Sequence, residues 1–183
     1  MVNTFCRSYD NCQDLPEVQE IILAYESKLG SQCMASGQDE EDQIILSLKA
    51  LKTIGHLIRA QDVLEKCYTE YSNSMYVRLA ALDTIQKLSC GGSHSFYPKL
   101  FTTFSNTALD SELRIGAYLA LMSCPARSTV NVVKHVLTAE PVNQGLLKEH
   151  FFLKYFYKKD CHEKLILMFF RPFETHEKRL QNK

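Results

Sequence analysis

The stretch Leu113-Arg114-Ile115-Gly116-Ala117-Tyr118-Leu119-Ala120-Leu121-Met122-Ser123-Cys124-Pro125 decides how the rest of the chain is read. Apolar residues at 113, 117, 120, 121 and 124 recur at three- and four-residue spacings, which places them on one face of a helix. Asp110 and Ser111 stand where a capping side chain belongs, and Pro125 ends the run. Two earlier segments share this grammar. Within residues 77–88, Leu79, Ala81, Leu82 and Ile85 match Ile115, Ala117, Tyr118 and Leu121, and Arg78 matches Arg114. Within residues 44–56, Leu48, Ala50, Leu51 and Ile54 occupy the same places. From Ile54 to Ile85 is 31 residues and from Ile85 to Leu121 is 36, so one helical unit recurs at a period typical of two-helix repeats. The fold class is therefore all-α, a two-layer antiparallel helical solenoid.

The 183 residues, 45% of them hydrophobic, suffice to bury one core in a single domain. Lys+Arg and Asp+Glu are equal at 21 each, so there is no net charge of the kind that draws nucleic acid or an anionic membrane surface. No apolar run approaches the roughly 18 residues a membrane span requires. Arg7, Asp10 and Asn11 interrupt any signal-peptide core near Met1.

Residues 1–40 read as a polar lead-in followed by one helix from Pro16 to about Leu29, with Val18, Ile21, Ile22, Ala24, Tyr25 and Leu29 on its apolar face. Gly30 can end that helix, and residues 31–41 read as a loop whose acidic residues favour the next helix's positive end. The repeat region covers residues 41–144. Residues 58–71 read as the antiparallel partner of the first copy, facing it with Ala60, Val63, Leu64, Cys67 and Tyr71. Ser74 reads as an N-cap for the second copy. A short helix over residues 95–105 carries Pro98 in its first turn and turns Leu100, Phe101 and Phe104 inward. A helix over residues 129–139 is expected to close the third unit. Residues 145–183 lose the pattern and form an aromatic and basic tail.

Candidate chemistry is sparse. There is no nucleophile elbow, phosphate-cradling glycine loop, His-Glu-x-x-His or calcium loop, so an enzyme and a bound cofactor have no motif to rest on. None of the six histidines lies three or four residues from another, and Cys161 and His162 are adjacent and diverge on a helix. Seven cysteines (6, 12, 33, 67, 90, 124 and 161) include no metal-binding spacing. Cys90 and Cys124 each follow a repeat helix, where neighbouring units would bring them together as a disulfide or leave them as two buried thiols. Arg78 and Arg114 would stack as a ladder against acidic residues such as Asp83 and Glu112, or stand solvated at helix starts.

Taken as a set and in order, "LKALKTIGH", "VRLAALDTIQKL" and "ELRIGAYLALMSCP" resemble the helical region of the large lipid transfer proteins, which include vitellogenins, apolipophorins, apolipoprotein B and the microsomal triglyceride transfer protein. The resemblance covers about residues 40–144 and implies a right-handed horseshoe of helices that wraps β-sheets lining a lipid cavity. It implies an extracellular lipid carrier, lipid as the partner through sheets that this chain does not encode, and no catalysis. The chain would be a slice of such a protein, since the signal, barrel and sheets are missing and residues from Gly145 onward do not fit the family's continuation. The alternative is a HEAT-like interaction module that takes a protein partner on its inner helical face, with the C-terminal aromatics as anchors.

Overall fold

A computed structural model describes residues 12–88, 96–123, 129, 131–133 and 135–136, and every regular element among them is helical. A 3₁₀ turn at Cys12–Asp14 leads into α1 (Pro16–Lys28). It is followed by α2 (Gln38–Ile54), α3 (Gln61–Thr69), α4 (Met75–Ile85), α5 (Tyr97–Ser105) and α6 (Ser111–Leu121). The end of the expected lead-in is therefore ordered: Cys12 is buried and disulfide-bonded, and its turn packs on α1.

Local chemistry explains most helix ends. Pro16 opens α1, where its missing N–H is not needed. Gly55 ends α2 at φ +76°, a left-handed conformation that a Cβ would strain, and a Cβ there would also sit 3.1 Å from Lys87 O. Ser74 accepts from Val77 N–H at 3.3 Å, and Asp110 accepts from Glu112 N–H at 2.8 Å, so both expected caps are in place. Helix α2 starts six residues before the expected position 44. Asp39, Glu40 and Glu41 form its first turn rather than a preceding loop.

Three expected faces hold in part: Val18, Ile22, Leu29, Ala60, Leu64, Cys67, Leu100 and Phe104 are buried as expected. In α1 the buried residues are Val18, Ile22 and Glu26, while Ile21 and Tyr25 point outward. Glu26 is drawn inward because its carboxylate accepts from the N–H groups of Ile58 at 2.7 Å and Arg59 at 3.0 Å. In α3, Tyr68 is buried, whereas Tyr71, beyond the helix end, is 75% exposed. In α5, Leu100 and Phe104 are buried and Phe101 is only half-buried.

The pairing also differs from the sequence reading. Helix α3 packs mainly on α4, which follows it; α5 likewise packs on α6, and α1 on α2. The unit is thus a leading helix and then a second helix. Helix α5 packs against the third copy. Of the expected helix over residues 129–139, residues 129, 131–133, 135 and 136 are helical. The second helices α2, α4 and α6 lie in contact in that order. Eight residues of the 11-residue α6 are buried, Arg114 and Gly116 included. Gly116 allows the approach of α4: a Cβ there would stand 3.0 Å from Leu82 Cδ1. These helices lie in one compact unit, Met1–Thr129; a second unit begins at Val130.

Candidate functional site

The buried polar groups of this molecule serve the helical array itself. Arg78 and Arg114 are 8% and 2% exposed, so neither is solvated. Each sits in the first turns of a second helix and reaches back to the last turn of its leading helix. Arg78 Nε donates to Tyr68 O at 3.0 Å, and Arg114 Nε donates to Phe104 O at 3.0 Å. Carbonyls in a helix's last turn have no intrahelical partner, and the negative end of the helix favours a cation there. The two acidic residues expected to face these arginines lie elsewhere. Asp83 pairs with Lys52 instead, and Glu112 is exposed at the start of α6.

The two clasps differ at the surface. The Arg78 guanidinium lies 5.3 Å from the centre of the Tyr71 ring. Burial pulls its pKa below the usual arginine value, while Tyr71 and Asp110 act the other way. At the positions 36 residues after Tyr71 and Tyr76 stand Thr107 and Glu112. Tyr68 and Phe104, whose carbonyls accept in the two clasps, are also 36 apart, and both rings are fully buried. The Tyr68 hydroxyl has no hydrogen-bond partner among the described residues, and burial, aided by Glu65, pushes its pKa well above 10.0.

Further braces cross between elements. Cys33 and Cys67, neither of them singled out by spacing, form a fully buried disulfide that ties the connection before α2 to α3. Lys66 Nζ donates to Ser31 O at 3.2 Å beside it. The Thr84 hydroxyl reaches Leu48 O at 2.9 Å and Ala80 O at 2.8 Å, and the Ser74 hydroxyl donates to Glu41 Oε1 at 2.6 Å. The expected Cys90–Cys124 bridge lies outside the described residues, as do Pro125, the Cys161-His162 pair and the 145–183 tail.

The remaining repeat positions are placed consistently. Ala81, Leu82, Ile85, Ile115, Ala117, Tyr118 and Leu121 are buried, and Leu79 is half-buried within van der Waals reach of Gly116. No group of His, Cys, Asp and Glu able to hold a metal ion occurs among the described residues. No described helix is long and apolar enough to cross a membrane. The groups whose roles sequence reasoning missed are the Glu26 carboxylate, the Tyr68 and Phe104 carbonyls and the Cys33–Cys67 pairing. Only the 36-residue offset shared by Tyr68 with Phe104 and by Arg78 with Arg114 was there to be found.

The sequence profile of the vitellogenin TPR domain matches residues 1–144. The chain is similar to the apolipophorins of Manduca sexta, with 33% identity over 144 residues, covering 76% of this chain and 4% of that protein. It is also similar to apolipoprotein B-100 of Rattus norvegicus, at 26% identity over 78% of this chain and 3% of the relative. Vitellogenin of Penaeus merguiensis is 24% identical over 79% of this chain and 6% of the relative. The chain thus spans a small part of the length of these proteins. No solved structure matches it.

Proposed function

Because this chain belongs to the vitellogenin TPR domain family, we propose that it is a scaffold segment of a secreted lipid carrier, its helices forming part of a wall around a lipid cavity that other segments line. The observation that carries this reading is the profile match across residues 1–144, which takes in every described helix of the array. The relatives are lipid-carrier proteins rather than enzymes. Holding lipid would be work for apolar surface, at about 25 cal/mol per Å² removed from water. The repeat positions from Arg78 to Ile85 and from Arg114 to Leu121 would keep the wall in shape, not touch cargo.

The test is a transplant. Residues 1–144 replace the matching segment of the Manduca sexta apolipophorins, and the secreted product is fractionated by density with its lipid measured. The expected result is a lipid-loaded particle of parental density, with an unrelated helical segment of equal length failing to yield one. A chimera that folds and is secreted without lipid sinks the proposal.

A second reading, an interaction module, draws on one feature. Tyr71 and Tyr76 are 75% and 74% exposed, and tyrosine is a residue type that anchors protein interfaces.

A further inference from the structure

The second helices α2, α4 and α6 start side by side. The Ser74 hydroxyl donates to Glu41 in the first turns of α2, while Thr84 reaches Leu48 O and Asp83 pairs with Lys52 farther along, so α2 and α4 run parallel. Asp110, the cap of α6, attracts Arg78 in the first turns of α4, and Gly116 faces Leu79 and Leu82, so α6 continues the same parallel row. The cap positions are Gly37, Ser74 and Asp110, and two residues past each stand Asp39, Tyr76 and Glu112. Asp39 and Glu112 are exposed, and Tyr76 is 74% exposed. One edge of the array thus presents an anion, a ring and an anion in line, at the steps of roughly 8–10 Å that packed helices keep.

The turn beside Tyr76 adds Glu70 and Tyr71, both exposed, and the Tyr71 ring already holds the Arg78 guanidinium at 5.3 Å. The cations next to this edge are committed: Lys66 donates to Ser31 O, and Arg78 and Arg114 donate to Tyr68 O and Phe104 O. Lys+Arg and Asp+Glu balance at 21 each over the chain, so attraction for a cation arises from the local row and not from net charge.

We propose that this edge docks an extended cationic segment of another protein, with one Lys or Arg side chain over the Tyr76 ring and the next ones along the segment beside Asp39 and Glu112. An extended chain advances about 3.3 Å per residue, so cations at every third residue match the steps of the row. The ring face attracts the central cation, and the flanking carboxylates add a Coulombic pull that salt screens. The proposal gives the interaction-module reading a partner chemistry and rests on that reading, not on lipid carriage.

The experiment is fluorescence anisotropy of labelled peptides titrated with the full chain at low salt. The probe is a peptide of repeated Arg-Ser-Gly. Its comparators are a peptide of the same composition with the arginines contiguous, and two in which Gln or Glu replaces every Arg. The spaced Arg peptide should bind at least about fivefold tighter than the contiguous one, and its affinity should fall as salt rises. Tyr76→Ala should weaken it about tenfold, whereas Tyr76→Phe, which keeps the ring face, should stay within about twofold. Glu112→Gln should weaken it about threefold. Tyr76 is exposed, so an unchanged urea midpoint for its variants separates lost binding from lost folding. Equal binding of spaced and contiguous peptides, or binding that Tyr76→Ala leaves intact, overturns the proposal. If the Gln or Glu peptide binds best and Tyr76→Ala weakens it, the cationic partner is wrong and the interaction reading stands. Self-association of the chain that Tyr76→Ala abolishes would assign the row to a second copy and overturn it as well. Absence of binding by every peptide sinks both the proposal and the interaction reading.

Discussion

Arg114 stands at the third copy of the repeat, 2% exposed, with its Nε–H committed to Phe104 O. Arg114→Ala removes a charge-assisted hydrogen bond and strands a buried carbonyl, so the expected loss is about 2–3 kcal/mol, read as a lower urea midpoint at unchanged slope. Tyr68 offers the opposite case. Its ring fills the slot that Phe104 fills one unit later, but its hydroxyl is buried without a partner among the described residues. Tyr68→Phe should therefore be neutral or stabilising by up to about 1 kcal/mol. A tyrosine whose folded pKa is raised stabilises the fold fully below its unfolded value of 10.0 and loses that contribution as pH climbs above it. The wild type should accordingly lose stability above that pH more steeply than Tyr68→Phe, as measured by urea unfolding across the alkaline range.

At the scale of the helix, the start of α2 is the place where pH acts. Glu40, in its first turn, accepts from both the N–H and the hydroxyl of Ser36, and these bonds hold its carboxyl below the usual glutamate value of 4.5. A carboxyl with a depressed folded pKa stabilises the fold above its unfolded pKa and ceases to do so as pH falls through the folded one. The first turn of α2 should therefore fray below pH 4.5, seen as faster exchange of the Ser36 amide once the intrinsic rate is corrected for pH. Glu40→Gln should remove that pH dependence. At the start of α4 the arrangement is more extensive, because Ser74 caps the helix through Val77 N–H while its own hydroxyl donates to Glu41 of α2. One residue there ends a loop and joins two helices.

At the scale of the molecule, the Cys33–Cys67 disulfide is the strongest brace between described residues. Cys33 and Cys67 are 34 residues apart in sequence, and cross-linking a loop of that length stabilises by up to about 4 kcal/mol in the chain-entropy description. Cys33→Ser/Cys67→Ser should lower the unfolding midpoint accordingly, and a loss below about 1 kcal/mol would mean that the polar braces around it suffice alone. The linked elements, the connection before α2 and helix α3, belong to successive pairs. The bond therefore joins units and does not merely close one.

The sequence by itself determined the helices, their order and the caps at Ser74 and Asp110, because apolar spacing, capping side chains, proline and glycine act within a few residues of where they stand. It also determined the family, since three linked segments at fixed offsets hold more information than any one of them. Tertiary structure alone decided which helix pairs with which. The pattern of an amphipathic helix specifies that a face is buried but not against what, so residues 58–71 suited either neighbour until Arg78 reached back to Tyr68 O. It likewise decided the burial of Glu26 on α1, whose amide partners lie 32 and 33 residues away. The joining of Cys33 to Cys67 had the same origin, for distance in space is set by packing and seven cysteines admit many pairings.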